Sequence, residues 1–320
     1  MKVLVTGAGG FIGSRLVELL RLRGRVGERR IEALALADQK LGTVVPGALA
    51  LEGDLGSPPL LQRVAQFAPD VVFHLAAVPG GAAEADYALG RRVNLEASLA
   101  LFETIAATAP GRTAPPVVVY ASTIAVYGTA LPAIVTPTTP LHPPLTYGAH
   151  KLACEILLAD FSRRGLIDGR SLRLPGIVAR PRAPSGLASA FMSDILHALK
   201  AGERFTCPVS PGATAWWMSA WRCAGNLLHA AAMDVNGTDP GRAWPLPVLR
   251  LSMEQVVETL AGLYGTDRRK LVDYAPQPVL EAVFGRYPML DDAASRTLGL
   301  EDDGSAPALV RRALAPHPDQ

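Results

Sequence analysis

The sequence is short of cysteine and of long apolar runs, and each shortage excludes a class of protein. Three cysteines occur in 320 residues, at positions 154, 207 and 223, without the close spacings that ligate metals. Neither a disulfide-stapled fold nor a metal site is therefore expected. No window holds the roughly 20 consecutive apolar residues of a membrane span, and no secretory signal is recognisable. We expect a cytoplasmic protein that does not bind membranes.

A strong net charge is also missing. The chain has 31 basic and 29 acidic residues, a net charge of +2, and its arginine pairs are scattered. Nucleic-acid binding, which usually needs a basic stripe, is not expected. The chain is 49% hydrophobic and 19% charged, a balance typical of a well-packed enzyme that is large enough for two lobes. A small molecule is the expected partner.

Short apolar runs alternate with helical patterns through the first half of the chain. The predicted strands are 3–5, 31–37, 48–51, 71–75, 117–120 and 171–174, and the predicted helices are 13–23, 59–67, 83–107 and 147–163. Continuously apolar strands are buried on both faces, as in a parallel sheet that helices cover. The alternation predicts an α/β fold with a Rossmann-type, doubly wound parallel sheet.

The pattern changes after about Pro175, where prolines and glycines become frequent. Helical patterns recur at 188–201, 224–233, 252–264 and 307–314. We predict a Rossmann domain over 1–175, with a strand from about 215–245 as a candidate to rejoin its sheet. The smaller C-terminal substrate lobe is predicted over 176–320.

A glycine-rich loop follows the first predicted strand and opens the first helix. It reads Thr6-Gly7-Ala8-Gly9-Gly10-Phe11-Ile12-Gly13. Gly7 permits the tight turn, Gly10 lets the backbone approach a pyrophosphate, and Gly13 allows the helix to pack closely on the strand. Free N–H groups at the helix N-terminus attract phosphates. The motif predicts a dinucleotide site contacted by Gly7, Gly10, Phe11, Ile12 and Gly13.

Two carboxylates indicate which dinucleotide binds. Asp38 ends the second predicted strand, where a carboxylate accepts hydrogen bonds from ribose hydroxyls and repels a 2′-phosphate. This favours NAD over NADP, although the nearby Lys40 acts slightly against it. Asp54, after the third strand, is placed to meet the adenine edge or to cap the following helix, and the two roles are compatible.

Tyr147 and Lys151 lie four residues apart at the start of the predicted helix 147–163. Residues at this spacing share a helix face, so both side chains can point into one cleft. A phenol with a pKa of about 10 is a poor base at neutral pH, but a nearby ammonium and a cationic nicotinamide lower that pKa. We predict that Tyr147 is the general base and that Lys151 lowers its pKa and holds the nicotinamide ribose.

A hydroxyl donor is expected just beyond strand 117–120, because ligands bind at the carboxyl ends of strands in open α/β sheets. Ser122 and Thr123 both lie there. We favour Thr123 as the group that orients the reacting oxygen, and Ser122 is the alternative.

These motifs together resemble the extended short-chain dehydrogenase/reductase family, which includes NAD-dependent epimerases and dehydratases. The matching pieces are 6–13, Asp38, Asp54-Leu55, His74-Leu75-Ala76-Ala77, Val93-Asn94, Ser122-Thr123 and 147–151. The resemblance implies that the cofactor is lined by Leu55, Leu75, Ala76 and Ala77. It implies that Asn94 supports the active-site helix beside the cofactor, and that the backbone around Pro175 and Ile177 holds the carboxamide. It also implies a homodimer formed through helices 83–107 and 147–163.

A subgroup of this family that oxidises four-carbon sugar acids is similar to the chain, especially over residues 162–175. The likeness implies NAD-dependent oxidation of C2 to a 2-keto acid. Arginine suits the carboxylate of such a substrate, so the candidates are Arg180, Arg182 and Arg222, with Ser189 a weaker one. Three departures fall in the predicted substrate lobe: Gly176 in place of threonine, Arg182-Ala183 in place of Gly-Lys, and the aromatic run 216–222.

Two other functions are open at this point. A nucleotide-sugar epimerase or dehydratase must hold a diphosphate, and such family members commonly carry an Arg-Asp-aromatic run. The comparable stretch here is Trp217-Met218-Ser219-Ala220-Trp221-Arg222. A non-catalytic NAD sensor would usually lose the tyrosine or the lysine. We expect a dehydrogenase that acts on a secondary alcohol.

Overall fold

The computed structural model describes residues 1–42, 45–182 and 188–317. The elements up to residue 174 are β1 (Lys2–Thr6), α1 (Phe11–Arg23), β2 (Arg25–Val26), β3 (Arg29–Arg30), β4 (Ala33–Asp38), β5 (Leu49–Glu52), α2 (Pro58–Phe67), β6 (Val71–His74), α3 (Gly80–Ala85), α4 (Tyr87–Gly90), a π-helix (Arg91–Glu96), α5 (Ala97–Ala107), β7 (Val117–Thr123), a 3₁₀ turn (Ile124–Val126), β8 (Ile134–Val135), α6 (Thr146–Arg163) and β9 (Asp168–Leu174).

The later elements are β10 (Gly176–Val178), α7 (Phe191–Ala201), β11 (Phe205–Cys207), β12 (Thr214–Ser219), α8 (Ala220–Ala230), β13 (Ala243–Pro245), β14 (Leu249–Ser252), α9 (Met253–Tyr264), a 3₁₀-helix (Thr266–Leu271), β15 (Val272–Tyr274), α10 (Pro278–Phe284), β16 (Met289–Leu290), α11 (Ala293–Thr297) and α12 (Ala306–Ala313). Among the helices described, none is long and apolar enough to cross a membrane.

The chain divides into two compact units, and it passes between them more than once. The first unit contains residues 1–126, 142–174 and 224–245. The second contains residues 127–141 and 175–223 and the chain from Leu246 onward. The sequence prediction used the continuous ranges 1–175 and 176–320, whereas the structure groups 127–141 with the second unit and 224–245 with the first.

The first unit is built on a seven-stranded sheet whose neighbouring strands are all parallel. Its order is β13-β9-β7-β6-β1-β4-β5. All four residues of β6 are buried, as expected for a strand covered on both faces. Leu60, Phe102 and Leu158, from α2, α5 and α6, share one apolar core with Leu4 and Val118 of the sheet. The predicted doubly wound α/β fold is confirmed.

The prediction of one helix over 83–107 was wrong. The segment is divided into α3, α4, the π-helix Arg91–Glu96 and α5. The first break falls at Asp86, whose backbone is extended and whose carboxylate accepts a hydrogen bond from Leu89 N–H. Aspartate favours such an N-cap over a helix interior, because its side chain competes for backbone N–H groups. Helix-forming residues on both sides hide the break in the sequence pattern.

Other predicted boundaries differ at their ends. Strand 31–37 begins at Ala33, and helices 188–201 and 224–233 begin at Phe191 and Ala220. The strand that rejoins the main sheet after residue 215 is β13, which pairs with β9. It has only three residues, too few for a periodic pattern to reveal it.

The second unit has its own core and three small sheets. In the largest of these, β12 lies between β10, to which it is parallel, and β14, to which it is antiparallel. β11 pairs with β15, and β16 pairs with β8. Trp217 is fully buried in a core that includes Leu196 and Leu260. The aromatic run of the sequence is thus largely a packing feature of this unit.

The structure explains why residue 176 is glycine rather than the expected threonine. A Cβ atom on Gly176 would lie 2.7 Å from Met192 Cε and 2.8 Å from the carbonyl oxygen of Trp216. Contacts this short are not tolerated, so Met192 occupies the space that a larger residue would need.

Replacing Gly13 by alanine should destabilise the protein. A Cβ atom there would lie 2.0 Å from the carbonyl oxygen of Gly7, so the glycine loop must shift. We expect the free energy of unfolding to fall by about 2 kcal/mol or more. Gly225→Ala is the matched control, because a Cβ atom at this position in α8 meets nothing within 4 Å.

The control should raise the free energy of unfolding by about 0.5–1 kcal/mol, through helix propensity alone. Urea denaturation of both variants measures the two effects. Equal stability of the Gly13→Ala and Gly225→Ala proteins would contradict the close approach.

Candidate active site

A crevice forms in the first unit where the order of strands reverses. Chain connections run in opposite directions from β1 and β6, and in open α/β sheets ligands bind at such a point. The loops that follow these two strands touch. A Cβ atom on Gly7, whose φ is +69°, would lie 2.7 Å from Ala76 N. A glycine is needed here both for the backbone conformation and for the close approach.

A cavity of about 290 Å³ opens at this crevice. The predicted cofactor residues that line it are Gly7, Gly10, Asp38, Asp54, Leu55, Leu75, Ala76 and Ala77. Residues that the sequence reasoning did not assign to it also line it, among them Gln39, Gly53, Val78, Pro79 and Val93. Val78 and Pro79 continue the loop after β6, so their position beyond a strand at the reversal was the signal that could have found them.

The N-terminus of α1 adjoins this glycine loop. Phe11, Ile12 and Gly13 form its first turn, and no side chain of the described residues caps it at Gly10. The backbone N–H groups at a helix N-terminus and the positive end of the helix dipole attract phosphate oxygens. The arrangement fits the pyrophosphate of a dinucleotide.

Asp38 is held in place by the backbone around it. Its Oδ2 atom accepts a hydrogen bond from Gly9 N–H at 2.9 Å, and its Oδ1 atom accepts one from Gln39 N–H at 2.7 Å. A carboxylate oxygen has further lone pairs, so it can also accept hydrogen bonds from ribose hydroxyls. Asp54 accepts from Gly56 N–H at 3.0 Å, and Ser57 rather than Asp54 is the N-cap of α2.

A chain of hydrogen bonds runs beneath the cavity through His74. Thr6 Oγ1 lies 2.7 Å from His74 Nδ1, and His74 Nε2 lies 2.9 Å from Ser98 Oγ. Ser98 Oγ donates to the carbonyl oxygen of Asn94, so it must accept from His74 Nε2–H. The neutral ring then accepts from the Thr6 hydroxyl, which in turn accepts from Ala76 N–H. The contacts thus assign the proton to Nε2.

Burial keeps this imidazole neutral. His74 is fully buried, which lowers its pKa to about 3, and the charge of Lys151 acts in the same direction. Asn94 is also buried, and its side chain binds the main chain of Val78 twice, accepting at 2.7 Å and donating at 3.0 Å. The Asn94 carbonyl accepts from Cys154 Sγ on α6 as well. Asn94 therefore ties the loop after β6 to α6.

The predicted catalytic residues lie where β7 ends and α6 begins. Thr123 is the last residue of β7, and Tyr147 is in the first turn of α6. A Cβ atom on Gly148 would lie 2.8 Å from the carbonyl oxygen of Ala125, so this turn packs against the segment that follows Thr123. Thr123 is nearly buried and accepts from Ala125 N–H.

Lys151 is buried beside Tyr147. Its Nζ atom lies 5.7 Å from the centre of the Tyr147 ring and 4.6 Å from that of Tyr120, and it donates to the carbonyl oxygen of Ala121 at 2.8 Å. Burial lowers the pKa of Lys151 to about 8, while its electrostatic interactions with Cys154 and Glu155 oppose this shift. The ammonium has two further protons to donate.

Ser122 turns away from this group. Its hydroxyl donates to Glu155 Oε1, which also accepts from Arg173 on β9. Sequence reasoning did not identify Glu155 or Arg173, although Glu155 follows Lys151 at the same four-residue spacing that links Lys151 to Tyr147.

Of the predicted substrate residues, Thr123 and Tyr147 belong to the first unit, whereas Arg180, Arg182, Ser189 and Arg222 belong to the second, as do Pro175 and Ile177. Pro175 precedes β10, and Ile177 pairs with Met218 in the three-stranded sheet. Arg180 donates its main-chain N–H to Ser193 Oγ, and Ser189 lies just before α7. Ala183, which marks a departure from the subgroup, lies outside the described residues.

Two predicted substrate arginines already have acidic partners. Arg182 donates to Glu203 at 2.7 Å, and both side chains are about half exposed. Arg222 pairs with Glu301. The Arg182 pair is exposed, and such pairs contribute little to stability, so this guanidinium can exchange its partner at small cost.

Comparison with known proteins identifies full-length relatives. A sequence model of the NAD dependent epimerase/dehydratase family matches residues 3–217. The D-erythronate dehydrogenase of Cupriavidus necator is 35% identical over 97% of this chain and 97% of its own length, and that of Haemophilus influenzae is 29% identical over 98% of both. A solved structure, the nucleoside-diphosphate-sugar epimerase from Agrobacterium tumefaciens, has a TM-score of 0.91 and is 31% identical, over 98% of this chain and 93% of that one.

The neutral state of His74 predicts a measurable dependence of stability on pH. In the unfolded chain a histidine binds a proton below a pKa of about 6.5, whereas folded His74 stays neutral down to about 3. Between these values the unfolded state binds more protons, so the free energy of unfolding falls as the pH falls, by up to about 1.4 kcal/mol per pH unit from this group.

Urea denaturation at pH 7, 6 and 5 measures this slope. His74→Gln should reduce the slope, whatever its effect at pH 7, and the exposed His142→Gln should leave it unchanged. A slope that His74→Gln does not alter would show that His74 is not the neutral, buried group described.

Proposed function

The chain belongs to the NAD-dependent epimerase/dehydratase family, and on that basis we propose that it oxidises C2 of D-erythronate to 2-dehydro-D-erythronate. Two relatives that carry this activity in their names align with it over nearly their whole length. The observation that carries the chemical part of the proposal is the buried ammonium of Lys151 beside the Tyr147 ring, at the carboxyl end of the parallel sheet.

The residues of the first unit fit the cofactor in three places. The glycine loop and the start of α1 would hold the pyrophosphate, Asp38 the adenosine ribose and Asp54 the adenine edge. NAD, when bound, supplies the acceptor for the hydride that leaves the substrate carbon. Asp38 also disfavours a 2′-phosphate, which supports NAD over NADP.

Tyr147 is the proposed general base. Its phenol oxygen takes the proton of the substrate hydroxyl, and the ammonium of Lys151 stabilises the phenolate needed for this step. The pKa of Lys151, at about 8, leaves most of this ammonium charged at neutral pH. The strand end and the helix turn that carry these groups are packed directly together, so their geometry is set before the substrate binds.

Thr123 is the proposed hydroxyl that orients the reacting oxygen. Its hydroxyl accepts from Ala125 N–H and still has a proton to donate. The Ser122 hydroxyl donates to the buried carboxylate of Glu155 instead. A donor that is already committed to a carboxylate is poorly suited to bind a substrate, which favours Thr123 over Ser122.

A nucleotide-sugar epimerase is the second candidate function, favoured by the Agrobacterium relative. The stretch that would have to carry the diphosphate-binding arginine and aromatic residues contains Trp217 and Ser219, which are fully buried. Arg222 in the same stretch pairs with Glu301. The burial of Trp217 and Ser219 supports a smaller substrate, whose carboxylate the proposed residues Arg180, Arg182, Ser189 and Arg222 would meet, with Arg222 exchanging Glu301 for the substrate.

A homodimer and a cytoplasmic location complete the proposal. Ala149, Leu152, Ala153 and Ile156 follow one another at helical spacing on α6, and the Ile156 side chain is 64% exposed. A twofold interface uses the same patch on both copies, so an apolar helix face is complementary to itself. All three cysteines are buried thiols, as suits a reducing compartment.

Purified protein with NAD and D-erythronate should form NADH, and Tyr147→Phe should lower kcat by about two to four orders of magnitude, because it removes the general base. NAD binding, followed by fluorescence titration, should be retained. Tyr264→Phe, a conservative change in α9, is the matched control and should keep wild-type turnover.

Two results would count against the proposal. The first is NADH formation by Tyr147→Phe at a rate near that of the wild type. The second is a lack of turnover with D-erythronate together with a rise in melting temperature caused by a UDP-sugar, which would favour the epimerase.

Ile156→Asp should convert the dimer to a monomer in light-scattering measurements after gel filtration, since it places a charge in the proposed apolar interface. Leu22→Asp is the matched control, because Leu22 on α1 is exposed to a similar degree, 63% against 64%. A dimer that survives Ile156→Asp would contradict an interface on α6.

A further inference from the structure

A buried cluster of charged and polar side chains lies one helical turn beyond Lys151. It consists of Ser122, Glu155 and Arg173, and we call it the Glu155 cluster. Glu155 and Ser122 are 3% and 2% exposed and Arg173 is 7% exposed. The reaction proposed above uses none of the three directly.

The Glu155 carboxylate is bound from two neighbouring strands. Arg173 Nη2 donates to Oε2 at 2.8 Å, and Arg173 Nε donates to Oε1 at 3.1 Å. The Ser122 hydroxyl donates to Oε1 as well. Ser122 on β7 and Arg173 on β9 are paired in register, one step before Thr123 and Leu174. The cluster therefore joins α6 to the end of the strand that carries Thr123.

Stability alone does not account for such a cluster. Taking a carboxylate and a guanidinium out of water costs several kcal/mol per ion, and apolar residues of similar volume often replace a buried pair without loss. Fully buried charges close to reacting groups commonly serve to set the protonation of those groups. Lys151 is the neighbour that such a role would concern.

The groups around Lys151 single out Glu155 as its source of negative charge. They are Tyr147, Cys154 and Glu155 on α6, Tyr120 on β7, His74 on β6 and, beyond Glu155, Arg173 on β9. Burial raises the pKa of Tyr120 and of Cys154 and lowers that of His74, so these three are neutral near pH 7. On the other elements that pack against α6, Glu84 accepts from Thr146 N–H, and Arg91 pairs with Glu96.

We propose that Glu155 is a positioning residue for catalysis: held by Arg173 and Ser122, it keeps the buried ammonium of Lys151 charged beside Tyr147. The inference rests on the proposed roles of Tyr147 and Lys151. It adds a reason for the four-residue repeat Tyr147, Lys151, Glu155, in which one face of α6 presents a phenol, an ammonium and a carboxylate in order.

The order matters because the tyrosine–lysine pair can lose its first proton in two ways. Loss from Tyr147 leaves an active phenolate beside an ammonium, whereas loss from Lys151 leaves an inactive phenol beside a neutral amine. Glu155 is four residues from Lys151 and eight from Tyr147, so its charge acts more strongly on the ammonium. It therefore favours the active form.

Arg173 and Ser122 have a separate part in this arrangement. By binding both carboxylate oxygens, they keep Glu155 from forming a direct ion pair with Lys151. The Lys151 ammonium thus donates to the carbonyl oxygen of Ala121 and has two further protons to donate.

The titration of Lys151 tests the proposal without any measurement of activity. The chain has five lysines, Lys2, Lys40, Lys151, Lys200 and Lys270, so carbon-13 labelling of lysine gives a spectrum of few signals. The signal that disappears in Lys151→Met identifies the residue. In Glu155→Gln this signal should titrate about one pH unit or more below its wild-type midpoint, because a nearby negative charge is lost.

Two further variants separate charge from shape. Glu155→Asp keeps the charge, so Lys151 should titrate within about half a pH unit of the wild type. Arg173→Gln removes a cation and frees the carboxylate, so the midpoint should move upward. A general loosening of the fold cannot move the Lys151 midpoint down in Glu155→Gln and up in Arg173→Gln. If Glu155→Gln does not fold, the upward shift in Arg173→Gln still tests the proposal.

Turnover provides the second readout. Glu155→Gln should lower the plateau of kcat about tenfold and shift the acidic limb of its pH profile to lower pH, with the KM for NAD changed less than threefold. Ser122→Ala removes one hydrogen bond to Glu155 but leaves both charges in place, so it should lower kcat less than Glu155→Gln does.

Three results would overturn the inference. One is a Lys151 midpoint that does not move in Glu155→Gln, and another is movement in the same direction in both charge variants. The third is the loss of turnover in Ser122→Ala with an unchanged pH profile, which would make Ser122 the reacting hydroxyl. An active Tyr147→Phe enzyme would instead refute the proposed function, while leaving the lysine titration to be judged by itself.

Discussion

The contact between the loops that follow β1 and β6 determines the position of the other groups in the first unit. These strands are neighbours at the point where the strand order reverses, and Gly7 lets their loops touch at Ala76. The cavity, the N-terminus of α1 and the carboxylate of Asp38 all border this contact. A parallel sheet supplies such a crevice wherever its connections diverge. This chain has glycine, which lacks a side chain, at Gly7 and Gly10, where the loops approach each other and line the cavity.

Two sets of buried polar side chains in this unit, one around His74 and one around Glu155, are held by directed hydrogen bonds. His74 is neutral; it accepts a hydrogen bond from the Thr6 hydroxyl and donates one to Ser98 Oγ. Glu155 is charged and is held by Arg173 and Ser122. Lys151 lies between these two systems, and it is the only one of these groups whose lowered pKa, at about 8, lies near neutrality. Among these groups, variable protonation is therefore confined to the lysine beside Tyr147, where the proposed reaction would move a proton.

Much of the fold and of the candidate site could be predicted from the sequence, because glycine loops, buried strands and a tyrosine–lysine pair have strong local sequence patterns. The fold class, the family and the NAD dependence were confirmed. The break at Asp86 could not be found in this way, since a cap depends on one carboxylate that meets one N–H group. Glu155 and Arg173 were missed because their partnership joins a helix to a strand 18 residues later. The three-residue strand β13 was too short to carry a period.

The π-helix Arg91–Glu96 has a consequence for how this region can change. A π-turn holds one residue more than an α-helical turn, so it rotates everything that follows by about 100° relative to what precedes it. That offset lets Asn94 reach Val78 while the next turns of α5 direct Phe102 and Ile105 into the core. A change in the length of the segment should therefore be tolerated less well than a substitution on its outer surface. Loss or gain of a single residue would rotate either Asn94 or the apolar face of α5 out of place, so insertions and deletions should be far rarer here than substitutions.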